Sequence, residues 1–429
     1  MASIRDASSS DGAVTAGRPP VLEVVGVGAS GVDSLDATCR RLVEEADVVI
    51  GGERHLAMLE TRPDRRLVPW PSPLLPRLRG LLAELGPQRV VVLASGDPLV
   101  SGIGSTLVRE LGADAVRIHP GVSSVALARA RMGWAAEESD VVTLVGRDLD
   151  RLRRDLVPRA RLVVLTSGAD APARVASLLV EEGYAGSRLT VLGDLGSPDE
   201  SRTDGLAASW DGGPAPRLHL VCVECEAHPG RSARSLVPGL GETAYDHDGQ
   251  LTKRVVRAAA LAHLAPQPGD VLWDLGAGAG SVGIEFARQH PRNEVHAVER
   301  DPVRAERVRR NARALGVPGL RVVEGASMDA VATLPQPDAV FVGGGASTDL
   351  IDACWHALAP GGRLVVHGVT VETEVLLHEA RGRLGGSMTR IAVEDLDTIG
   401  SLHGWKPARS VVQWSVEKPV PQTDPEDQS

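Results

Sequence analysis

Short, near-continuous apolar runs separated by helical periodicity recur along most of this chain. Residues 21–28 form such a run and end in Gly26 and Gly28, with Gly31 close behind, which predicts a buried strand opening into a tight turn. A helix pattern over 34–45, a short strand over 48–50 and a turn at Gly51-Gly52-Glu53-Arg54-His55-Leu56 follow. Pro69, Pro71, Pro73 and Pro76 mark a connection, residues 78–85 a helix and 89–94 a strand buried in a parallel sheet. Further strands are expected over 115–119, 141–145, 162–165, 189–192 and 218–223, with helices over 125–132 and 174–182. From residue 253 the rhythm repeats: helix 253–264, then strands 271–275, 294–298, 320–323, 339–342 and 363–367. A closing antiparallel pair is expected near 388–393 and 410–417. Strands alternating with helices at this spacing indicate doubly wound α/β units.

These patterns divide the chain. Residues 20–226 read as one N-terminal unit with lobes at about 20–113 and 114–226. Residues 227–241, carrying His228, Pro229, Gly230, Pro238, Gly239 and Gly241, read as a linker, and 242–418 as a C-terminal unit. Residues 1–19, rich in Ser, Gly and Ala, and residues 419–429 read as a disordered leader and tail.

The C-terminal unit turns on Asp274-Leu275-Gly276-Ala277-Gly278-Ala279-Gly280-Ser281. Glycines there let the backbone approach a ligand, and the helix that follows opens with unpaired N–H groups. The spacing is not the G-x-G-x-x-G of a dinucleotide site. Asp274 stands two residues before the first glycine, where a carboxylate can reach a cationic amine. Glu299 ends the next strand, where an acid can accept both ribose hydroxyls. No second phosphate loop accompanies them. An adenosine with a cationic amino-acid tail and no phosphate is S-adenosylmethionine. The fourth strand runs into Gly343-Gly344-Gly345 without the proline–aromatic cage used to methylate base amines, which leaves room for a bulky, flat substrate.

With 429 residues, 43% hydrophobic and 24% charged, the chain has the make-up of a globular protein of two or three domains. A net charge of −10 and 3% aromatics disfavour nucleic acid as a partner. No run of about 18 apolar residues suggests a membrane span, and a cytoplasmic location is expected. Cys222 and Cys225 form a C-x-x-C inside an apolar strand with no second ligand pair, so no metal site is expected.

Both halves together resemble the fused two-domain, decarboxylating precorrin methyltransferase family of cobalamin synthesis. In the C-terminal half the resemblance rests on Asp248-Gly249-Gln250-Leu251-Thr252-Lys253-Arg254, on Leu272-Trp273-Asp274-Leu275-Gly276-Ala277-Gly278-Ala279-Gly280-Ser281-Val282, and on Phe341-Val342-Gly343-Gly344-Gly345. This half is similar to class I, Rossmann-like methyltransferases. The N-terminal half resembles the two-lobed tetrapyrrole (class III) methyltransferase fold through Ser95-Gly96-Asp97-Pro98, Gly102-Ile103-Gly104-Ser105 and Pro120-Gly121-Val122-Ser123-Ser124. Two positions depart from the family pattern: Ala29 replaces a usual proline, and no proline follows Gly325-Ala326.

The resemblance implies methyl transfer from S-adenosylmethionine to ring carbons 5 and 15 of precorrin-6Y and decarboxylation of its ring C acetate, giving precorrin-8. One donor site is implied per domain. Donor-binding candidates are Gly96, Asp97, Pro98, Gly102, Ile103, Ser123 and Ser124 in the first. In the second they are Thr252, Asp274, Gly276, Gly278, Gly280, Ser281, Glu299, Gly325 and Ala326. A small tetrapyrrole is the implied partner, with homo-oligomers through the C-terminal domain. No catalytic residue is assigned. Ser123 and Ser124 are also good helix caps, and Thr252 could line the donor site or cap the next helix. Glu53, Arg54 and His55 are open between capping and substrate contact. Lys253, Arg254 and Arg257 could attract substrate carboxylates or be a solvated helix face, and His367 could donate a proton or be a core histidine. A nicotinamide-dependent oxidoreductase and a donor-binding regulatory module without turnover are the alternatives.

Overall fold

The computed structural model describes residues 21–86, 88–231 and 234–421. The expected leader and all but the start of the expected tail lie outside them. The first lobe is a parallel sheet of β1 (Leu22–Val27), β2 (Val48–Gly51), β3 (Arg66–Pro69), β4 (Val90–Ser95) and β5 (Val116–His119), ordered β3-β2-β4-β1-β5. β1, β2 and β4 are buried on both sides, as their near-continuous apolar runs require, between two hydrophobic clusters. β3 occupies part of the stretch read as a proline-rich connection. Its single buried residue, Val68, gives no alternation to detect.

The second lobe contains β6 (Asp140–Thr143), β7 (Arg161–Leu165), β8 (Arg188–Gly193), β9 (Ser201–Leu206) and β10 (His219–Glu224), ordered β6-β7-β10-β8-β9. Here only β6 and β7 run parallel; every other pairing is antiparallel. β9 was not expected, because Ser201-Arg202-Thr203-Asp204 is an exposed polar edge. Cys222 lies on β10 and Cys225 just beyond its end, and they belong to separate apolar clusters on the two sides of this sheet. Burial pushes both thiols up to about 12. The pair is core packing, and its sulfurs cannot converge on one ion.

The C-terminal sheet holds β11 (Val271–Leu275), β12 (Glu294–Glu299), β13 (Arg321–Glu324), β14 (Ala339–Val342), β15 (Arg363–Gly368), β16 (Ser387–Ile391) and β19 (Val411–Glu417). The order is β13-β12-β11-β14-β15-β19-β16, with the first five parallel and β19 antiparallel between β15 and β16. The closing pair falls where the pattern placed it. Between β16 and β19 a separate hairpin projects, made of β17 (Glu394–Ile399) and β18 (Leu402–Pro407). No described helix is long and apolar enough to cross a membrane.

The segment entering this domain is held by a buried carboxylate. Glu285, on helix Ser281–Gln289, accepts from the backbone N–H of Gly239 (2.6 Å) and Leu240 (3.0 Å), from Tyr245 Oη (2.8 Å) and from Arg257 Nε (2.6 Å). Arg257 is wholly buried, lies over the Tyr245 ring and donates from Nη1 to the Thr252 carbonyl at 2.5 Å. Arg257 is therefore structural. Through Thr252 it positions the chain that lines the site below.

Candidate functional site

Two clefts lie beyond the carboxyl ends of parallel strands, where open α/β sheets receive ligands. The first is between the N-terminal lobes. Gly28, Ala29, Ser95, Gly96, Asp97, Ser123 and Ser124 line its first-lobe side; Thr166, Leu192, Leu195, Arg217 and His219 line the other. At its floor β1, β4 and β5 end against one another with no side chains between them. A methyl group on Gly26 would overlap the Gly96 carbonyl oxygen and stand 2.5 Å from Gly121 N. Gly96 itself has φ 52°, and Gly121 N donates to Gly96 O at 3.1 Å. The close approach of Gly26 and Gly121 lets Gly96 present bare backbone to the cleft.

Among the candidates, Gly96, Asp97, Ser123 and Ser124 line this cleft. Pro98, Gly102 and Ile103 stand behind it. Gly102 packs on the Pro98 carbonyl, Gly104 N donates to that oxygen at 3.0 Å, and Ile103 joins the lobe's core. Asp97 Oδ1 accepts from Leu99 N at 2.8 Å, shaping the turn. Ser123 is also the helix cap, its Oγ accepting from Ala126 N at 3.1 Å. Capping and lining both hold for it.

Arg54 reaches the same cleft from the end of β2. Its Nη2 donates to Ser95 Oγ and to His55 Nε2, both at 2.8 Å. Burial and the Arg54 charge push His55 down to about 4, so its ring is neutral and can accept. The open reading of Arg54 resolves toward the cleft. Arg217 and His219 were not singled out from sequence, since nothing local marks them.

The second cleft, about 640 Å³, is bounded by Gln250–Lys253, the glycine turn after β11, Gly343, His367, Val393 and Arg409. Gly276, Gly278 and Gly280 all have positive φ, of 70°, 60° and 76°. Each is needed for a different reason. A side chain at Gly276 would press on Gly344 backbone, and one at Gly280 would meet Val308; Gly278 has nothing nearer than Gln250 O at 3.7 Å. Gly276 and Gly278 border the cavity, and nothing crowds the backbone at Gly278.

Thr252, Gly276, Gly278 and Ser281 line this cavity. The helix cap is Lys253, without a side-chain cap bond, so the capping reading of Thr252 is corrected. Asp274 and Glu299 lie beneath the turn. Glu299 accepts from Gly278 N at 2.8 Å and Asp301 N at 3.1 Å, and Gly325 N donates to its carbonyl at 3.1 Å. Gly325 and Ala326 stand at the end of β13 beside that of β12, outside the cavity lining. Asp274 Oδ2 accepts from Gly283 N at 2.9 Å, while Oδ1 is buried with no partner among the described residues. Burial, then the nearby Glu299 charge, raise Asp274 to about 7. An unsatisfied buried carboxylate oxygen beside a glycine cradle fits a donor whose tail carries an ammonium group.

His367 lines the cavity but donates Nε2–H to Gln413 Oε1 at 2.9 Å, lies edge-on to Phe341, and is lowered to about 4 by burial. It is neutral at pH 7 and a poor proton donor there. Lys253 and Arg409 are the exposed cations at the rim; Arg254 does not reach it.

Fold and site define a two-domain methyltransferase acting with S-adenosylmethionine. Residues 21–210 match the tetrapyrrole (corrin/porphyrin) methylases, and residues 243–418 match the precorrin methyltransferase domain. A curated protein of Sinorhizobium sp, named precorrin-6Y C(5,15)-methyltransferase [decarboxylating], is 43% identical over 96% of this chain and 99% of its own length. The chain belongs to the decarboxylating precorrin-6Y C(5,15)-methyltransferase family. Two shorter proteins of Salmonella typhimurium also match. The cobalt-precorrin-7 C(5)-methyltransferase is 31% identical over 44% of this chain and 92% of its own. The cobalt-precorrin-6B C(15)-methyltransferase (decarboxylating) is 34% identical over 39% and 89%.

Proposed function

We propose that the chain methylates precorrin-6Y at ring carbons 5 and 15 and removes the ring C acetate as carbon dioxide, with one donor site in each domain. The observation that carries this is the pair of clefts on unrelated folds, each reached by glycine backbone and each lined mainly by residues of a separate family match. We assign carbon 5 to the N-terminal cleft and carbon 15, with decarboxylation, to the C-terminal cavity. The two single-activity relatives have lengths close to the two family matches, which supports this division, as it does a domain boundary within 227–241.

S-adenosylmethionine would supply an electrophilic methyl group in both sites. Around it the N-terminal residues Gly96, Asp97, Ser123 and Ser124 hold and orient, backed by Pro98, Gly102 and Ile103. In the C-terminal site Thr252, Gly276, Gly278 and Ser281 shape the cavity, Asp274 faces the tail's charge, and Glu299, Gly325 and Ala326 serve the adenosine end. Orientation of a macrocycle carbon toward the methyl group supplies much of the rate. Lys253 and Arg409 suit the substrate's carboxylates. Incubating the chain with precorrin-6Y and methyl-labelled donor, then reading mass and label position, tests the reading. Product carrying neither label nor loss of carbon dioxide would overturn it.

Asp274 gives a pH test. Its folded-state value near 7 stands above the ordinary carboxylate range of about 4. A raised acid stabilises the fold only while protonated, so stability of the donor-free domain should fall as pH rises from about 4 to about 7, then level. Asp274→Asn should flatten that slope and also weaken binding of S-adenosylhomocysteine. Thermal unfolding across this pH range, with and without that ligand, checks both; an unchanged slope in the variant counts against the assignment.

We also propose self-association through the C-terminal domain. Leu396 with Trp405 and Ile399 with Leu402 form cross-strand apolar pairs on opposite faces of hairpin β17–β18, 60–71% exposed, which a monomer rarely leaves open. L402D with W405D should shift the light-scattering mass to that of one chain without unfolding it. A cytoplasmic location is proposed with it, supported by four unpaired cysteines.

A further inference from the structure

Several arginines withdrawn from solvent meet carboxylates. Arg153 pairs with Asp150, Glu181 and Glu182, Arg257 with Glu285, and Arg363 with Asp270. Arg54 does not. Its guanidinium is half-buried at the N-terminal cleft, held by Ser95 Oγ and His55 Nε2, and its Nη1 is buried with no partner among the described residues. The charges facing it come from the other lobe: Arg217, which also lines the cleft and makes no ion pair among the described residues, and Asp194, which attracts Arg54 without reaching ion-pair distance. Burial and the Arg217 charge both work against the charged form of Arg54. Two cations, one from each lobe, are thus kept near each other, and neither is ion-paired to Asp194 or to the cleft-lining Asp97 among the described residues. A guanidinium held this way is costly alone and is relieved by an anion it can grip with two parallel N–H bonds.

The position says which anion. The glycine loops follow β1, β4 and β5, whereas Arg54 follows β2, on the far side of β4 from β1. It stands at the flank of the cleft floor and not over its centre. Resting on the tetrapyrrole reading above, we propose that Arg54 and Arg217 clamp a peripheral carboxylate of the tetrapyrrole in the N-terminal cleft. Ser95 and His55 fix the rotamer of Arg54. The lobes then close on the substrate through one shared anion, and the clamp sets which ring edge faces the methyl group. Arg54 is a substrate-contact residue; His55 is a positioning residue, acting through it.

The test uses the full chain with R54Q, R54K and R217Q. Loss of a charged hydrogen bond of this kind should raise KM for transfer to carbon 5 roughly ten- to hundredfold. Affinity of the N-terminal site for S-adenosylhomocysteine should stay within about twofold, and transfer to carbon 15 should be kept as an internal control. R54K should recover only part, because an ammonium lacks the planar fork. H55A should show a smaller rise in KM than R54Q. If donor affinity falls while KM for the tetrapyrrole holds, the carboxylate is the donor's own and the clamp is overturned. Unchanged KM and unchanged donor affinity overturn it as well. If the wild-type chain does not turn over precorrin-6Y, the underlying reading has failed. The clamp is then read separately, as preference of the wild type for uroporphyrin over its methyl ester. R54Q and R217Q lose that preference if the clamp exists and keep it if it does not.

Discussion

Glu285→Gln is expected to cost about 3–5 kcal/mol in the unfolding of the C-terminal domain, the range for breaking a buried ion pair from one side. Glu285 is 2% exposed and answers four donors at once, and the partner it would abandon, Arg257, is fully buried. The amide keeps an oxygen acceptor but leaves the guanidinium without a counter-charge. The damage should spread in a definite direction. Arg257 holds the Thr252 carbonyl, and Thr252 lines the C-terminal cavity, so affinity for S-adenosylhomocysteine should weaken there before the domain melts. Denaturant unfolding followed at the C-terminal transition measures the first effect and calorimetric titration the second. A loss below about 1 kcal/mol would place the pair among solvated surface bridges instead.

Gly26→Ala is expected to abolish transfer to carbon 5 while leaving carbon 15 working in the same chain. The added methyl would overlap the carbonyl oxygen of Gly96 and crowd the backbone nitrogen of Gly121. Backbone on both sides cannot rotate away as a side chain would, so the loops after β4 and β5 must part. Displacing reacting groups by about 1 Å can cost on the order of a hundredfold in rate, and three loops meet here. Isotopic label appearing at carbon 15 alone would be the signature. Retained transfer to carbon 5 would mean that the loops accommodate the methyl and the close approach is not required.

Much of this architecture was legible because its strands are buried on both faces. β1, β4, β7, β10, β11 and β14 announce themselves as near-continuous apolar runs, and the acids and glycines after them mark where ligands enter. Strands with little burial were silent. β9 is polar along its length, β3 contributes one buried residue, and β17 and β18 are exposed. Their pairing comes from neighbours and not from their own periodicity. Direction was hidden too: nothing in residues 140–224 states that β8 and β10 run antiparallel, since buried strands read alike either way.

The candidate site divides along the same line. The sequence by itself determined the fold class, the two glycine-rich loop sets and the carboxylates Asp274 and Glu299, because backbone conformation and strand-end position are local properties. Tertiary structure alone decided which of those residues face a cavity. It put Thr252, Gly276, Gly278 and Ser281 at the wall, Asp274 and Glu299 beneath the turn, and Gly280 into packing. It also separated three neighbouring cations, Lys253 at the rim, Arg254 off it, and Arg257 in the core on Glu285. It brought Arg54 to Ser95, 41 residues away, and set Arg217 of the other lobe nearby. Charge and burial at a point are sums over everything packed around it, and that sum is not written in any one stretch of chain.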